Sequence, residues 1–148
     1  MKKTIWIGSD HAGVDLKKTI KNELKQEYDV QDVGPLDTTS VDYPDFGEKV
    51  ALQVANHPNA EGILICGSGI GMSIVANKIQ GIRAALVHSV ETATLARQHN
   101  NANILCLGAR IVPEELAVAM VKTWLTTTFE GDRHQKRIDK ISNVEKKR

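Results

Sequence analysis

Cys66 stands at the mouth of a turn that carries glycine at every second position, Gly67, Gly69 and Gly71, in the run ICGSGIGMS. The run closes an apolar strand pattern, EGILICG, and leads into a helical pattern from Ser68 to Lys78. A thiol just before a helix N-terminus feels the positive end of the helix dipole, which favours the thiolate. A thiolate can act as nucleophile or base. The backbone N–H groups of Gly67 to Gly71 can face inward as a nest for an anion, either a phosphate or a developing oxyanion. The spacing is G-x-G-x-G, not the G-x-G-x-x-G of dinucleotide sites, and no acidic residue ends strand four to hold a ribose hydroxyl. Nor is there a Gly-Lys-Ser/Thr for a nucleoside triphosphate. A tight strand-to-helix turn explains the glycines equally well, and free cysteines are commonly small buried hydrophobes. Cys106, inside ANILCLG, suits that description; Cys66 sits where ligands bind.

Other reactive groups recur near predicted strand ends. SDHAG places Asp10 and His11 after the first strand, and LGARIV places Arg110 after the fifth. ARQHNNANI places His99 and Asn100 at the end of a helix, where an imidazole is either solvated or a proton carrier near neutrality. Arg133 and Arg137 lie four apart, on one helix face. Two adjacent guanidiniums match a phosphate. Lys136, Lys140 and the KKR terminus equally suit a basic solvated helix. His57, His88 and His134 read as structural or solvated.

The elements that must position these groups follow from periodicity. Strand patterns cover Thr4–Asp10, Tyr28–Gly34, EGILICG, IRAALVH and ANILCLG. Helical patterns run over Val14–Gln26, with Leu16, Ile20 and Leu24 at spacing four, and from about Phe46 to Ala55 after the polar loop PLDTTSVDYP. Others are SVETATLARQHN, with Ser89 as N-cap, and PEELAVAMVKTWL, with Pro113 at its start. Strands alternating with helices predict a parallel sheet covered on both faces. Ligands of such sheets bind at the carboxyl strand ends where chain order reverses, so a 2-1-3 order would bring SDHAG and CGSGIG together. The polar tail from Phe129 reads as a further amphipathic helix with Ile138 and Ile141 inward. It packs on its own subunit or on a neighbour.

The chain has 148 residues, which suits one domain over 1–148, and its 41% hydrophobic and 25% charged composition is that of a soluble globular protein. A formal net charge of +1 gives no bulk attraction to nucleic acid or membrane. No apolar run spans a bilayer, and the N-terminus runs straight into a strand, unlike a signal peptide. Two cysteines without close spacing fit thiols in a reducing cytoplasm.

Taken together, SDHAG, DYP, ICGSGIGMSIVANK, GIRAA, RQHNNAN, LGAR and the EG-RH-xx-R tail resemble the type B ribose-5-phosphate isomerases, of the ribose/galactose isomerase family. The match runs from the first strand to the C-terminal helix. The resemblance implies a three-layer α/β/α Rossmann-like sandwich with a five-stranded parallel sheet and an extra C-terminal helix. It implies a homodimer, sometimes paired into a tetramer, whose sites draw on both subunits. It implies isomerisation of ribose 5-phosphate and ribulose 5-phosphate with neither metal nor cofactor. Position by position, Cys66 would be the base moving a proton between C2 and C1. Ser68 would help protons move on the sugar oxygens, and the backbone from Gly67 through Gly69 and Ile70 to Gly71 would stabilise the enediolate. His99 would help open the furanose ring, with Asp10 across the substrate. His11, Arg110, Arg133 and Arg137 would hold the phosphate; Tyr43 and Asn100 would line the sugar.

One branch of that family uses a glutamate just after the last loop glycine as base; here Met72 stands there, so the chain resembles the cysteine branch. Galactose-6-phosphate isomerase subunits tend to lack the arginine pair or the full RQHN block, so a five-carbon substrate is favoured. A six-carbon sugar phosphate, such as allose or galactose 6-phosphate, remains the alternative substrate. A sugar-phosphate-binding module without catalysis is the alternative from another class, against which stand Cys66 and His99. A thiol redox enzyme is disfavoured because no second cysteine lies near Cys66 in sequence.

Overall fold

The computed structural model describes residues 1–147. The elements are β1 (Thr4–Ser9), α1 (Val14–Leu24), β2 (Asp29–Asp32), α2 (Tyr43–Asn56), β3 (Glu61–Cys66), α3 (Ile70–Ala76), β4 (Ala84–Leu86), α4 (Val90–Gln98), β5 (Ile104–Gly108), α5 (Glu114–Thr126) and α6 (Arg133–Lys146). The strands form one parallel sheet in the order β2-β1-β3-β5-β4. The 2-1-3 arrangement is therefore present, with β5 inserted between β3 and the edge strand β4.

Burial explains the strand sequences. β3 and β5 are buried along their whole length, as uninterrupted apolar runs require when both faces are covered. On one face Leu16, Ile20 and Leu24 of α1, Ala96 of α4, and Met120 and Trp124 of α5 pack against Ile5, Ile7, Ile63, Ile65 and Leu107. On the other, Val50 and Val54 of α2 and Met72 and Ala76 of α3 pack against Leu64, Cys66, Ile104 and Cys106. Each fully buried Leu or Ile contributes roughly 1.5–3 kcal/mol. No helix among the described residues is long and apolar enough to cross a membrane.

Several boundaries differ from the periodicity. α2 begins at Tyr43, ahead of the expected Phe46, because Pro44 fills a first-turn position where a missing N–H costs nothing. α3 is shorter than the expected Ser68–Lys78: it starts after Gly69, whose φ is 80°, and ends at Asn77. The Asn77 amide donates to Ala84 O at 3.0 Å and accepts from Ala84 N at 2.8 Å, covering part of the open edge of β4. Ser89 caps α4 as expected, reciprocally with Thr92. Pro113 is the N-cap of α5 and lies just outside the helix.

α6 packs on its own chain. His134 and Ile138 are buried, and Glu145 accepts from Gly81 N at 2.9 Å. Ile141, expected inward, is 48% exposed. Ile141 and Val144 line a hollow between the later turns of α6 and the short edge strand β4.

A polar cluster pins the loop after β2. Lys17, 1% exposed, donates to Asp32 Oδ1 at 2.8 Å and to Pro35 O; Lys21 donates to Asp32 Oδ2 at 2.9 Å, and Gly34 N to Oδ1 at 2.8 Å. Burial pushes the Asp32 carboxyl up, but the hydrogen bonds from Lys17, Lys21 and Gly34 outweigh it and hold the group below the ordinary carboxylate range. Burial pulls the Lys17 ammonium below its ordinary range despite its bond to Asp32.

Candidate active site

The chain order reverses between β1 and β3. The chain leaves β1 for α1 on one face and leaves β3 for α3 on the other, which opens a crevice at their carboxyl ends. Cys66 is the last residue of β3 and is 5% exposed. Its Sγ accepts a hydrogen bond from Gly69 N at 3.2 Å. Ser68 Oγ accepts from Ile70 N at 3.2 Å. Two N–H groups of the turn are thus aimed at the two side chains expected to move protons. α3 has only seven residues, so the local N–H groups rather than a long dipole dominate the field at the sulfur.

Only glycine fits at Gly69. Its φ of 80° is left-handed, and a Cβ there would lie 2.6 Å from Leu86 Cδ1 and 2.9 Å from the Leu107 carbonyl carbon. At Gly71 the missing side chain makes room for Tyr43, whose ring atoms would lie 2.5 Å from a Cβ. Tyr43, at the start of α2, is thereby laid on the turn.

The neighbouring loops are tied to this turn through the backbone. Asp10 N donates to Ile65 O at 3.1 Å, Ala109 N to Cys66 O at 2.9 Å, and Arg110 N to Gly67 O at 3.0 Å. The Arg110 guanidinium lies over Gly67, with Nη1 3.2 Å from where a Cβ would be. Asp10 Oδ1 accepts from Ala12 N at 3.0 Å and Gly13 N at 3.2 Å, capping the turn that opens α1. His11 Nδ1 accepts from Val41 N at 3.2 Å, which places its proton on Nε2 as a donor facing outward from that bond. One edge of the sheet thus gathers Asp10, His11, Tyr43, Cys66, Gly67, Ser68, Gly69, Ile70, Gly71 and Arg110.

His99, Asn100, Arg133 and Arg137 are elsewhere. His99 is the C-cap of α4, ahead of β5, so it lies at the amino edge of the sheet. The five residues of β5 separate the two edges by roughly 13 Å at about 3.3 Å per step. Arg97 holds this turn: it donates to Ala102 O at 2.9 Å, Asn101 Oδ1 at 3.2 Å and Trp124 O at 3.3 Å, and pairs with buried Glu61. Arg133 opens α6, and Arg137 lies one turn later; both are exposed. Within one chain these four residues do not meet Cys66.

His134 and Glu130 gain a place that their sequence positions did not reveal. His134 is 4% exposed and stacks on His99, ring centroids 4.3 Å apart and 13° from parallel. Glu130 Oε1 lies 3.8 Å from His99 Nε2 and 3.3 Å from His134 Nε2. Burial, with Arg133 and His99 alongside, holds the His134 imidazole below its ordinary range, against the opposing pull of Glu130. The only signal in the sequence was the run EGDRH itself. Two hollows lie away from the cysteine. One of about 430 Å³ lies between α6 and β4, lined by Ile82, Ala85, Asn100, Ile141 and Val144. Another of about 760 Å³ lies beside Trp6 and His57. Cys66 lines neither of these two hollows.

Comparison with known proteins bears on the role of this edge. The sequence model described as Ribose/Galactose Isomerase matches residues 5–141. Ribose-5-phosphate isomerase B of Escherichia coli is 44% identical, over 99% of this chain and 99% of its own. The crystal structure of ribose-5-phosphate isomerase B from Mycoplasma genitalium with bound ribulose-5-phosphate superposes with a TM-score of 0.96 at 48% identity, covering 100% of this chain and 99% of that one. The corresponding Clostridium thermocellum protein gives 0.95 at 50% identity, covering 97% and 98%.

Proposed function

The chain belongs to the ribose/galactose isomerase family, and from that footing we propose that it interconverts ribose 5-phosphate and ribulose 5-phosphate, with Cys66 as the base. The observation that carries the proposal is the Cys66 sulfur held by Gly69 N–H in the glycine turn at the switch point, between Asp10 and Arg110.

The reaction needs ring opening, loss of a proton from C2, a stabilised enediolate, and return of that proton to C1. In the proposed course an imidazolium, His99, protonates the ring oxygen while the Asp10 carboxylate, across the substrate, takes the proton of the C1 hydroxyl. Both groups regain their starting protonation by exchange with solvent. The Cys66 thiolate takes the C2 proton, and its electron pair flows into the C1 carbonyl to give the enediolate. Turn N–H groups receive that charge; such a donor contributes about 3 kcal/mol when well aimed. The thiol then returns the proton to C1, Ser68 Oγ carries the hydroxyl proton between O2 and O1, and the sulfur is again a thiolate. A positioned acid or base contributes roughly 10²–10⁴-fold. The phosphate does not react. Its binding orients the sugar, and the expected holders are His11, Arg110, Arg133 and Arg137.

The two-edge distribution supports a homodimer. His99, Asn100, Arg133 and Arg137 of a second copy would wall the carboxyl edge at Cys66, while Tyr43 lines the sugar from the first. Exposed Ile70 and Ile74 of α3 flank that edge with apolar surface suited to a partner.

Incubation with ribose 5-phosphate in D₂O tests the chemistry. The expected result is deuterium at the C1 or C2 carbon of the recovered sugar phosphates, lost in the Cys66→Ala variant. Binding with neither exchange nor formation of ribulose 5-phosphate would instead make the protein a sugar-phosphate-binding module.

A further inference from the structure

The end of α4 and the start of α6 meet in a cluster that the isomerisation uses only in part. One ring nitrogen each of His99 and His134 and a carboxylate oxygen of Glu130 all lie within 4.8 Å of one another. Glu130 is held in place by its own backbone, whose N–H donates to Gln98 O at 3.1 Å. His134 is 4% exposed, yet its Nε2 has no hydrogen-bond partner among the described residues. A buried ring nitrogen without a partner costs stability and calls for an explanation. It lies 3.3 Å from the Glu130 oxygen that His99 also approaches, but without the angle of a hydrogen bond.

We propose that His99, Glu130 and His134 form a binding site for a divalent first-row transition metal, zinc foremost, whose occupancy removes His99 from catalysis. Two imidazoles and one carboxylate are a ligand set of zinc, with the fourth position left to water. Metal–ligand bonds of about 2.0–2.2 Å in a tetrahedron set neighbouring donors roughly 3.3–3.5 Å apart. The Glu130–His134 pair, at 3.3 Å, already has that separation. His99, at 3.8 Å from Glu130, must draw in and tilt out of its stack so that both ring lone pairs converge. Its side chain is 40% exposed and sits at a helix end, which leaves room to tilt. Two nitrogen donors select against hard cations such as magnesium and calcium, which take oxygen ligands. A metal on Nε2 leaves that nitrogen unable to carry a proton. The site is thus inhibitory rather than a cofactor site. Binding rests on the geometry alone; inhibition rests on the ring-opening role of His99 proposed above.

The test uses the full-length protein without a histidine tag. Zinc chloride is titrated calorimetrically into the Cys66→Ala variant, which lacks the competing thiol of the glycine turn. The expected result is one ion per chain, with affinity at least about tenfold weaker when Glu130→Gln or His134→Asn is added. Glu130 is exposed, so its isosteric change reports on binding even if the His134 change impairs folding. With Cys66 present, zinc should slow turnover, a chelator should restore it, and Glu130→Gln should resist zinc relative to its own metal-free rate. No uptake, or uptake unaltered by Glu130→Gln, would overturn the site. Uptake at the triad with undiminished turnover would overturn its inhibitory role.

Discussion

The amide of Gly69 donates to the sulfur of Cys66 across 3.2 Å, closing the turn between β3 and α3 on the one thiol that lies at the carboxyl edge of the sheet beside the switch point. The bond fixes the direction of the sulfur. It also puts the proposed base and the proposed oxyanion donors into a single short loop.

Replacing Cys66 by alanine should lower kcat by about 10³-fold or more, since no other group at the turn can exchange a carbon-bound proton. Met72 stands where a glutamate would be needed. Sugar-phosphate affinity, measured by calorimetry, should stay within a few-fold of the parent. Full activity in the variant would end the assignment of Cys66 as base.

The two cysteines should differ sharply towards a small alkylating agent. Cys106 is fully buried and its thiol is pushed far up by burial, so it resists. Cys66 retains a little exposure at the carboxyl edge of the sheet. Peptide mass mapping should find the label on Cys66 alone, with loss of activity in step and protection by ribose 5-phosphate. Label on Cys106 in the native protein would contradict the packing described.

Gly69→Ala places a Cβ at positive φ and within 3 Å of both Leu86 and Leu107. The backbone cost alone is of order 1–3 kcal/mol. A fall in melting temperature together with a fall in kcat should result, because the shifted amide no longer meets the sulfur. A variant with parental stability and kcat would show that the turn does not need this conformation.

Arg137→Ala should chiefly raise KM, since a phosphate that takes no part in the chemistry is bound alike in ground and transition states. If sites are shared between copies, dissociating and remixing Cys66→Ala with Arg137→Ala at low substrate should restore activity towards about a quarter of the parental value, from dimers with one intact site. No recovery after verified subunit exchange would argue against sites built from two copies.

Asp32→Asn should destabilise the fold by roughly 3–5 kcal/mol, because Lys17 is left buried without its counter-charge. The acid response arises from the same cluster. The folded carboxyl lies below its unfolded value, so the unfolded chain binds more protons as pH falls. The contribution of Asp32 is present above about pH 4 and is lost as pH drops through its folded value. Chemical denaturation at a series of acidic pH values should show that loss in the parent and a flatter profile in Asp32→Asn.

Much of this protein was legible in its sequence, and for local reasons. The apolar runs of β3 and β5 and the spacing-four stripe of α1 report which faces are buried, because an element's burial is written in its own period. The turn at Cys66 was legible too, since alternate glycines permit few backbone paths and one residue within them carries a thiol. Boundaries were less legible where side chains from distant segments decide them: Asn77 leaves α3 to pair with Ala84, and Ile141 borders a hollow beside β4 and stays exposed. Only the tertiary structure set Cys66 and Arg110 on one edge of the sheet and His99, Arg133 and Arg137 on the other. That division comes from the direction of parallel strands: residues entering β5 and residues leaving it must lie a strand's length apart. The stacking of His134 on His99, with Glu130 between their nitrogens, likewise arises from α6 folding back against the end of α4, a contact between segments far apart in the chain that no local pattern encodes.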